Sequence, residues 1–478
     1  MPLVPESLPM ATPFDPSEDP PGSIDPLGTL ALAERLADNV LPGFTARMWR
    51  ARLLTFTTLS GAMSDRVVRL MDGREDVRLE ARLAFERLFV SALVRTYQGK
   101  DDSEVAARRR LPGSDLARTA LAANEPLTRN NFLRGQAVNG PFGVMARLAR
   151  NLGLVEPDGN QGRNAPQLLL AWSEERELPG ILDDNGPSDR PGGQWAADVA
   201  KTVSKCLAQK EWPGAGHQIW DQLAVHLRLD EVGRKERAAM GQLLEGDETR
   251  RRLLGILRSP SVLAKYRAMA GTESRGTIER SILVGSVLPT LGDGPVDVML
   301  GAAIKAINAY ETVVALLQEV FDGLLWVLSH GSARSHPDTL LADPRLVAQV
   351  RRVSGALAGA VASLGRAIEE MRAIPALDDP ALAASLVQFC DDAWLSGPSE
   401  QTLIEAVLAR HERVQREKGK APWIDRGREW TLLPGFGIAD AEPPVHVDAY
   451  LHPFRIPNAY SILADLGQVP KERGNGEA

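Results

Sequence analysis

The chain has 478 residues, of which 44% are hydrophobic, and this is enough apolar material to bury a large core in about two to four globular domains. A net charge of −7 argues against a protein that coats nucleic acid along its length, and against an anionic membrane surface as the main partner. Any contact with DNA must therefore be local. Cys206 and Cys390 lie within apolar helical patterns, and we expect free thiols in a reducing cytosol rather than a disulfide or a metal pair.

The sequence begins with an acidic, proline-rich stretch. Residues 1–24 contain no basic residue and lack the charged and apolar regions of a signal peptide, so we expect a disordered tail. Residues 25–113 are predicted to form an N-terminal helical subdomain, because Asp25 and Pro26 suit the cap and first turn of a helix and apolar residues then recur at helical spacing. Three arginines at 108–110 are interpreted as part of a solvated linker, or else as an extension of a basic surface.

Residues 114–177 are predicted to form a separate module, whose most distinctive part is the segment 129–172. Residues 139–141 read Asn-Gly-Pro, which predicts a tight turn and the start of a helix, since glycine supplies backbone freedom and proline suits the first helical turn. A polar loop at 157–162 and a second apolar helical pattern at 165–172 follow. This layout resembles the winged helix-turn-helix family, and the resemblance implies a small helical core with residues 157–162 as the wing.

One face of this module is predicted to carry arginines. Helical spacing turns the apolar residues between 142 and 152 towards the core and leaves arginines on the opposite side. Residues 129–163 contain five arginines against two acidic residues. This modest excess predicts a slope of log affinity against log salt of only about −3 to −4, so tight DNA binding by the module alone is not expected. A docking or spacer role is the alternative. The residues predicted to contact DNA here are Arg134, Asn139, Arg147, Arg150, Asn151 and Arg163.

A stretch rich in turn residues at 178–193 predicts a boundary, and residues 194–398 are expected to form a second helical domain. Two long amphipathic helices are its main feature, with apolar stripes at 300–328 and 346–371. The second stripe alternates four-and-three spacing, with small residues beside it that favour close approach of another helix. We predict an antiparallel helical hairpin, with a homo-oligomer seam as the alternative. Charged residues within 296–328 argue against a transmembrane segment, so no membrane contact is expected.

Residues 399–467 are predicted to hold a basic helix and a small mixed segment, before a polar tail at 468–478. Basic residues at the helix end, near Trp423 and Trp430, suit a clamp on a nucleic-acid backbone. The interpretation that we favour is a helix whose basic C-terminal end interacts favourably with the helix dipole, followed by a short strand pair with tryptophan in the core. The residues predicted to contact DNA in this segment are Arg413, Arg416, Lys418 and Lys420.

Common catalytic motifs are missing from the sequence: no GxxxxGK[ST], GxGxxG, GxSxG, HExxH or CxxC pattern occurs. His446, Asp448 and His452 have the spacing of a metal site, and they support an alternative function as a metal-dependent hydrolase or nuclease. Surface or capping roles explain the same residues more simply. We therefore expect no catalytic residue, no bound metal and no cofactor.

These patterns favour a mainly α, cytoplasmic protein of bacterial type, built from multi-helix domains with an embedded winged-helix module and a long antiparallel helical hairpin. The winged segment and the stretches 411–423 and 452–460 are similar to uncharacterised bacterial proteins that accompany phage-defence operons. We expect a non-catalytic, DNA-associated adaptor or structural subunit of a bacterial multiprotein assembly, with antiviral defence as one candidate role and other protein subunits as partners. A pure protein–protein scaffold using residues 294–372 is a further alternative.

Overall fold

The computed structural model describes residues 25–97, 111–183, 189–331, 334–391, 399–440, 442–446 and 448–470. Nineteen α-helices and three short strands lie within these ranges, which confirms the predicted mainly α class. The predicted tail at 1–24, the three arginines at 108–110 and most of the predicted tail at 468–478 lie outside the described residues.

Contacts within the chain divide it into two compact units. Among the described residues, the long-helix unit combines residues 25–39 with 269–454, and the short-helix unit combines residues 40–268 with 455–470. The sequence predicts consecutive domains, whereas each unit joins two stretches that are far apart in the chain. The difference has a physical reason: turn-rich segments mark where a local pattern stops, but they do not say which distant segments pack together.

Aromatic stacking forms the centre of the short-helix unit. Phe56 of α2 (Arg52–Leu70) stacks on Phe85 and Phe89 of α3 (Arg78–Thr96), with ring centroids 5.2 and 4.1 Å apart. All three rings are fully buried, so they contribute apolar burial as well as the ring contacts. The other helices of this unit are α4 (Ser114–Ala122), α5 (Gln136–Asn139), α6 (Pro141–Asn151), α7 (Ala165–Glu175), α8 (Pro191–Ala208), α9 (Ile219–Leu227), α10 (Arg234–Leu244), α11 (Glu248–Leu257), α12 (Pro260–Met269) and α19 (Ile456–Asp465).

A buried ion pair joins α2 to α10 in the same unit. Arg52 pairs with Glu236 at 2.9 Å, and the Nε atom of Arg52 donates to the carbonyl of Arg228 at 3.1 Å. Burial lowers the pKa of Arg52 and raises the pKa of Glu236, because each charge loses solvent. The pair fixes the two helices to each other, since removing one partner would leave a buried charge uncompensated.

Two long helices dominate the long-helix unit, α14 (Pro295–His330) and α16 (Pro344–Arg372). Lys305 near the start of α14 pairs with Glu370 near the end of α16 at 2.6 Å, while Glu319 farther along α14 meets Gln349 near the start of α16. The two helices therefore run in opposite directions. The remaining elements of this unit are α1 (Leu30–Val40), α13 (Arg275–Ile282), α15 (Pro337–Leu341), α17 (Pro380–Asp391), α18 (Glu400–Glu417), β1 (Arg334–Ser335), β2 (Ile424–Arg426) and β3 (Trp430–Leu432).

The apolar stripe of α16 is covered from within the unit. Leu346, Val353 and Leu364 are fully buried, and α16 packs against α14, so this stripe is not exposed to a second copy of the chain. The small residues of α16 that favour close approach of another helix do not face α14. A Cβ atom added at Gly355 or Gly359 would have no described atom within 4 Å. The close approach is made by glycine on the other helix, since Gly323 of α14 lies directly beside Gln349.

Among the described residues, α14 is the one helix that is long and apolar enough to cross a membrane, judged by length and composition. In the folded chain 78% of its most apolar 18-residue window is buried. Two acidic residues within it, Glu311 and Glu319, are 1% exposed and pair with His452 and Arg352. A buried core helix passes the same test of length and composition, and α14 has the burial of such a helix.

Candidate nucleic-acid interface

Local sequence chemistry sets the position of α6. The turn at 139–141 separates α5 from α6, with Pro141 in the first turn of α6. The helix ends at Asn151, and Gly153 follows with a φ of 64°, a left-handed conformation that glycine adopts without steric cost. The structure therefore confirms the predicted helix start.

α6 has one buried and one exposed face. Met145 and Leu148 are at most 1% exposed, and α6 packs against α2. Arg147 and Arg150 are exposed. Because they are three positions apart, they are neighbours on the helix surface. The predicted amphipathic pattern thus places two guanidinium groups side by side on the outer face.

Three other predicted DNA contacts lie before and after α6. Arg134 and Arg163 are exposed, as is Asn139 at the end of α5. The side-chain oxygen of Asn139 accepts a hydrogen bond from Nη1 of Arg47 at 2.7 Å, and its Nδ2 atom donates to the carbonyl of Arg134 at 3.1 Å. Asn139 therefore holds another exposed arginine, Arg47, in place near the start of α6.

Asn151 has a structural partner instead. Its side-chain oxygen accepts a hydrogen bond from Nη1 of Arg250 at 2.6 Å. Arg250 is 2% exposed and also donates to the carbonyls of Pro42 and Leu244, at 3.1 and 2.5 Å. Burial lowers the pKa of Arg250, so these oxygens compensate a charge that has lost its solvent. The side-chain oxygen of Asn151 is thus part of the packing of the short-helix unit, and we leave Asn151 out of the interface.

The loop predicted as the wing lies against α2 and α3. Its ends are joined by a bridge between residues 155 and 161, and the amide of Glu156 donates to the carbonyl of Asn160 at 2.9 Å. Arg82 of α3 donates to the carbonyl of Asp158 at 3.1 Å and packs directly on the backbone of Gly159. Glu156 and Asp158 are themselves exposed. Because the loop presents negative charge, phosphate contacts are expected from α6 rather than from the loop tip.

Side chains of the second predicted basic segment, at the end of α18, donate hydrogen bonds to the backbone carbonyl groups of residues 25–27. Nε of Arg410 donates to the carbonyl of residue 27 at 2.7 Å, Nδ1 of His411 to that of residue 26 at 3.0 Å, and Nζ of Lys418 to that of residue 25 at 2.6 Å. Three side chains thus hold three consecutive carbonyl groups, an arrangement that we call the α18 clasp. Lys418, predicted as a DNA contact, is a member of it.

The other predicted cations of this segment lie around the clasp. Arg413 and Arg416 are exposed, and Lys420 is half-buried. The short strands β2 and β3 that follow are antiparallel, and Trp423 and Trp430 are 9% and 4% exposed. Buried tryptophans next to a strand pair agree with the structural alternative that the sequence left open for this segment.

A single tautomer of His411 satisfies its neighbours. The amide of Trp423 donates to Nε2 of His411 at 2.9 Å, so the proton must be on Nδ1, which donates to the carbonyl of Pro26. The residue is 1% exposed, and burial lowers the pKa of His411 to about 4. The imidazole is therefore neutral at neutral pH and acts as a fixed donor and acceptor.

The structure does not bring together His446, Asp448 and His452, the residues of the alternative metal site. Nε2 of His446 lies 2.7 Å from Asp322, and Nδ1 of His452 lies 2.6 Å from Glu311, while Asp448 pairs with Arg280 of α13. Asp322 and Glu311 are both on α14, about 16 Å apart along the helix at 1.5 Å per residue. No group of three His, Cys, Asp or Glu side chains within the described ranges is placed to hold a metal ion. The two histidines attach the chain near residue 450 to α14 instead.

Sequence reasoning missed a buried carboxylate at the start of α6. Glu86 of α3 is fully buried, and its Oε2 atom accepts a hydrogen bond from the amide of Phe142 at 2.7 Å. Its Oε1 atom accepts from Nε2 of Gln136 at 2.7 Å. Burial raises the pKa of Glu86 to about 7, against the lowering effect of these donors and of Arg87. The partners are separated by 50 or more positions in the chain, so no local pattern indicates them.

Neither Cys206 nor Cys390 forms a disulfide, as expected from the sequence. Burial raises the pKa of Cys206 to about 12, so this thiol stays protonated at neutral pH and is a poor nucleophile. Cys390 is half-buried.

Comparison with known proteins found no matching family model, no matching curated protein and no matching solved structure. A functional proposal for this chain therefore depends on its own residues and their geometry.

Proposed function

We propose that the chain is a non-catalytic, DNA-associated adaptor or structural subunit, and that α5, α6, the loop 157–162 and α7 form a winged-helix module. The observation that supports this proposal is the exposed pair Arg147 and Arg150 on the outer face of α6. A helix with one buried face and adjacent guanidinium groups on the other is suited to bind phosphates of a duplex. The assignment depends on this surface and not on the fold, since folds of this kind also serve as docking domains.

The charge of this surface limits its affinity. Four predicted contacts remain exposed arginines, namely Arg134, Arg147, Arg150 and Arg163, and the neighbouring loop exposes two acids. If all four contacted phosphates, the slope of log affinity against log salt would be about −4. Binding of this kind is weak at physiological salt, so the DNA contact would need support from other subunits. This supports an adaptor within an assembly rather than a solitary DNA-binding protein.

The long-helix unit supplies the structural part of the proposal. We take α14 and α16 as the predicted antiparallel hairpin, which makes a stiff support because its apolar seam is satisfied within the unit. The position of this protein in a defence assembly stays a prediction from the sequence, as does its cytoplasmic location.

Fluorescence anisotropy with a labelled duplex over a salt series tests the proposal. The double variant Arg147→Ala/Arg150→Ala removes the α6 pair. Its matched control, Arg366→Ala/Arg372→Ala, removes two exposed arginines from α16 in the other unit. Loss of two phosphate contacts should lower affinity about tenfold and reduce the magnitude of the salt slope by about 2. The control should bind within about twofold of the wild type.

Unchanged binding and an unchanged salt slope in the α6 double variant would remove the proposed surface. An equal loss in the α16 control would show that net charge, and not the α6 face, determines binding. Absence of any binding by the wild type at low salt would contradict the DNA-associated role itself.

A further inference from the structure

The start of α6 is fastened to α3 by one buried side chain. The carboxylate of Glu86 accepts the amide hydrogen of Phe142, in the first turn of α6, and a side-chain amide hydrogen of Gln136 in α5, both at 2.7 Å. The backbone of Gly140 passes so close to Glu86 that a side chain at this position would collide with the carboxylate. Both helices that flank the 139–141 turn are thus attached to the same carboxylate of α3.

The two hydrogen-bond donors at Glu86 favour an ionised carboxylate. Both neighbours of the carboxylate are donors, so an added proton would place a hydroxyl donor against an N–H donor. Rotation of the Gln136 amide does not resolve the conflict. Its Oε1 atom already accepts from Arg87 at 2.7 Å, and its Nε2 atom also donates to the carbonyl of Leu83 at 2.9 Å. Protonation therefore weakens one of the two contacts of Glu86, because a carboxylic hydroxyl oxygen is a poorer acceptor than a carboxylate oxygen.

The charged and titratable groups around Glu86 do not replace the weakened contact. On α3 itself, Arg87 attracts the carboxylate, and the guanidinium of Arg82 lies over the ring of Phe142 at 4.9 Å. α5 and α6 present only the uncharged amides already named. Ionisable groups on the other elements that pack against α3 are otherwise engaged: Asp65 of α2 pairs with Arg78, Asp115 of α4 pairs with Arg118, Cys206 of α8 is a protonated thiol, and the ring of His226 of α9 contacts Trp195.

We propose that Glu86 is a positioning residue whose proton controls how tightly the first turn of α6 is held, and thereby tunes the phosphate affinity of Arg147 and Arg150. The second half of this statement rests on the proposed function, whereas the first half does not. Because burial raises the pKa of Glu86 to about 7, the change occurs near neutral pH. An opening that removes the donors but leaves Glu86 buried raises the affinity of the carboxyl for its proton, so acidification loosens the start of α6 and weakens binding. The loss of one buried negative charge acts in the opposite sense, but screening beyond about 8 Å at physiological salt reduces its effect at the surface.

Hydrogen exchange of the full-length protein tests the first half directly. The readout is the opening of residues 140–146 at pH 6 and at pH 8, corrected for intrinsic exchange rates. We expect about tenfold more opening at pH 6 in the wild type. In Glu86→Gln, the side-chain amide places an N–H donor against one of the existing N–H donors at every pH. Residues 140–146 of this variant should therefore open equally at both pH values. Glu80→Gln, which changes a half-buried acid on the same helix, should behave as the wild type.

A second variant keeps the test decisive if Glu86→Gln folds poorly. Gln136→Leu removes one donor to the carboxylate, and because that donor lowers the pKa of Glu86, the opening transition should move to higher pH. A residue that only fills space would not shift this midpoint. Absence of a pH-dependent step in the wild type, or a midpoint unmoved by Gln136→Leu, would overturn the proposal.

Anisotropy at physiological salt separates this proposal from the proposed function. We expect DNA affinity of the wild type to fall about threefold from pH 8 to pH 6, and that of Glu86→Gln to change by less than this. A pH-dependent opening in a protein that binds no DNA would support the positioning role and contradict the proposed function. DNA binding without any pH-dependent opening would do the reverse.

Discussion

Two helices of this protein end in similar runs of basic residues, but the chain uses their charge in different ways. On α6, Arg147 and Arg150 lie on the exposed face. On α18, Arg410 and Lys418 donate to backbone carbonyls of residues 25–27. A cationic pattern in a sequence therefore does not indicate whether a charge meets solvent or the chain itself. One buried ionisable group is associated with each helix: Glu86 contacts the start of α6, and His411 is part of α18. Burial raises the pKa of Glu86 and lowers the pKa of His411.

The largest expected effect is the response of the α18 clasp to acid. The pKa of His411 is lowered from 6.5 to about 4 in the folded chain, so the unfolded state takes up a proton first as the pH falls. Above pH 6.5 this difference contributes about 3 kcal/mol to the free energy of unfolding, and the contribution is lost as the pH falls to 4. Hydrogen exchange of α18 peptides between pH 7 and 4 measures it. His411→Gln offers a donor and an acceptor without titration and should lack this loss. The interpretation is wrong if the variant shows the same acid dependence.

Glu86 should give a change of similar size and opposite sign. Its pKa is raised from 4.5 to about 7, so the folded state binds this proton more tightly than the unfolded state. The free energy of unfolding of the short-helix unit should rise by about 3 kcal/mol as the pH falls from 7 to 4.5. Protonation removes the cost of burying a charge, although it also weakens one hydrogen bond at the start of α6. Exchange of α3 peptides in wild type and Glu86→Gln measures this term, and a fall in α3 protection over the same range would contradict it.

Removal of the clasp cations separates stability from DNA binding. Arg410→Ala/Lys418→Ala deletes two charge-assisted hydrogen bonds at partly exposed positions, so we expect a loss of about 2 kcal/mol in the long-helix unit. DNA affinity should stay within about twofold of the wild type. Arg416→Ala/Arg428→Ala removes the same charge from exposed positions and should leave stability nearly unchanged. Equal stability of the two variants, measured by urea denaturation, would show that the clasp is unimportant.

The smallest effect on stability is expected at α6. Arg147→Ala/Arg150→Ala changes exposed side chains, so the free energy of unfolding should shift by about 1 kcal/mol or less. DNA affinity is expected to fall in the same variant. A lower denaturant midpoint for this variant than for the clasp variant would show that the α6 arginines, and not the clasp cations, stabilise the fold.

Local chemistry made part of this architecture predictable. Proline at 141 and glycine at 153 set the ends of α6, and helical spacing gave its exposed arginines. Contacts between distant residues could not be predicted, since Asn151 meets Arg250 across 99 positions and Lys418 meets Asp25 across 393. Short spacing also misled: His446 and His452 are close in sequence, but each has a different carboxylate on α14 as its partner.

Ultraviolet cross-linking to a duplex containing a photoreactive thymine analogue, followed by peptide mapping, tests the central claim most directly. The α6 assignment predicts cross-linked peptides within residues 134–163 and none from residues 410–420. Cross-links confined to 410–420, or a protein that binds the duplex without any cross-link in 134–163, would contradict it.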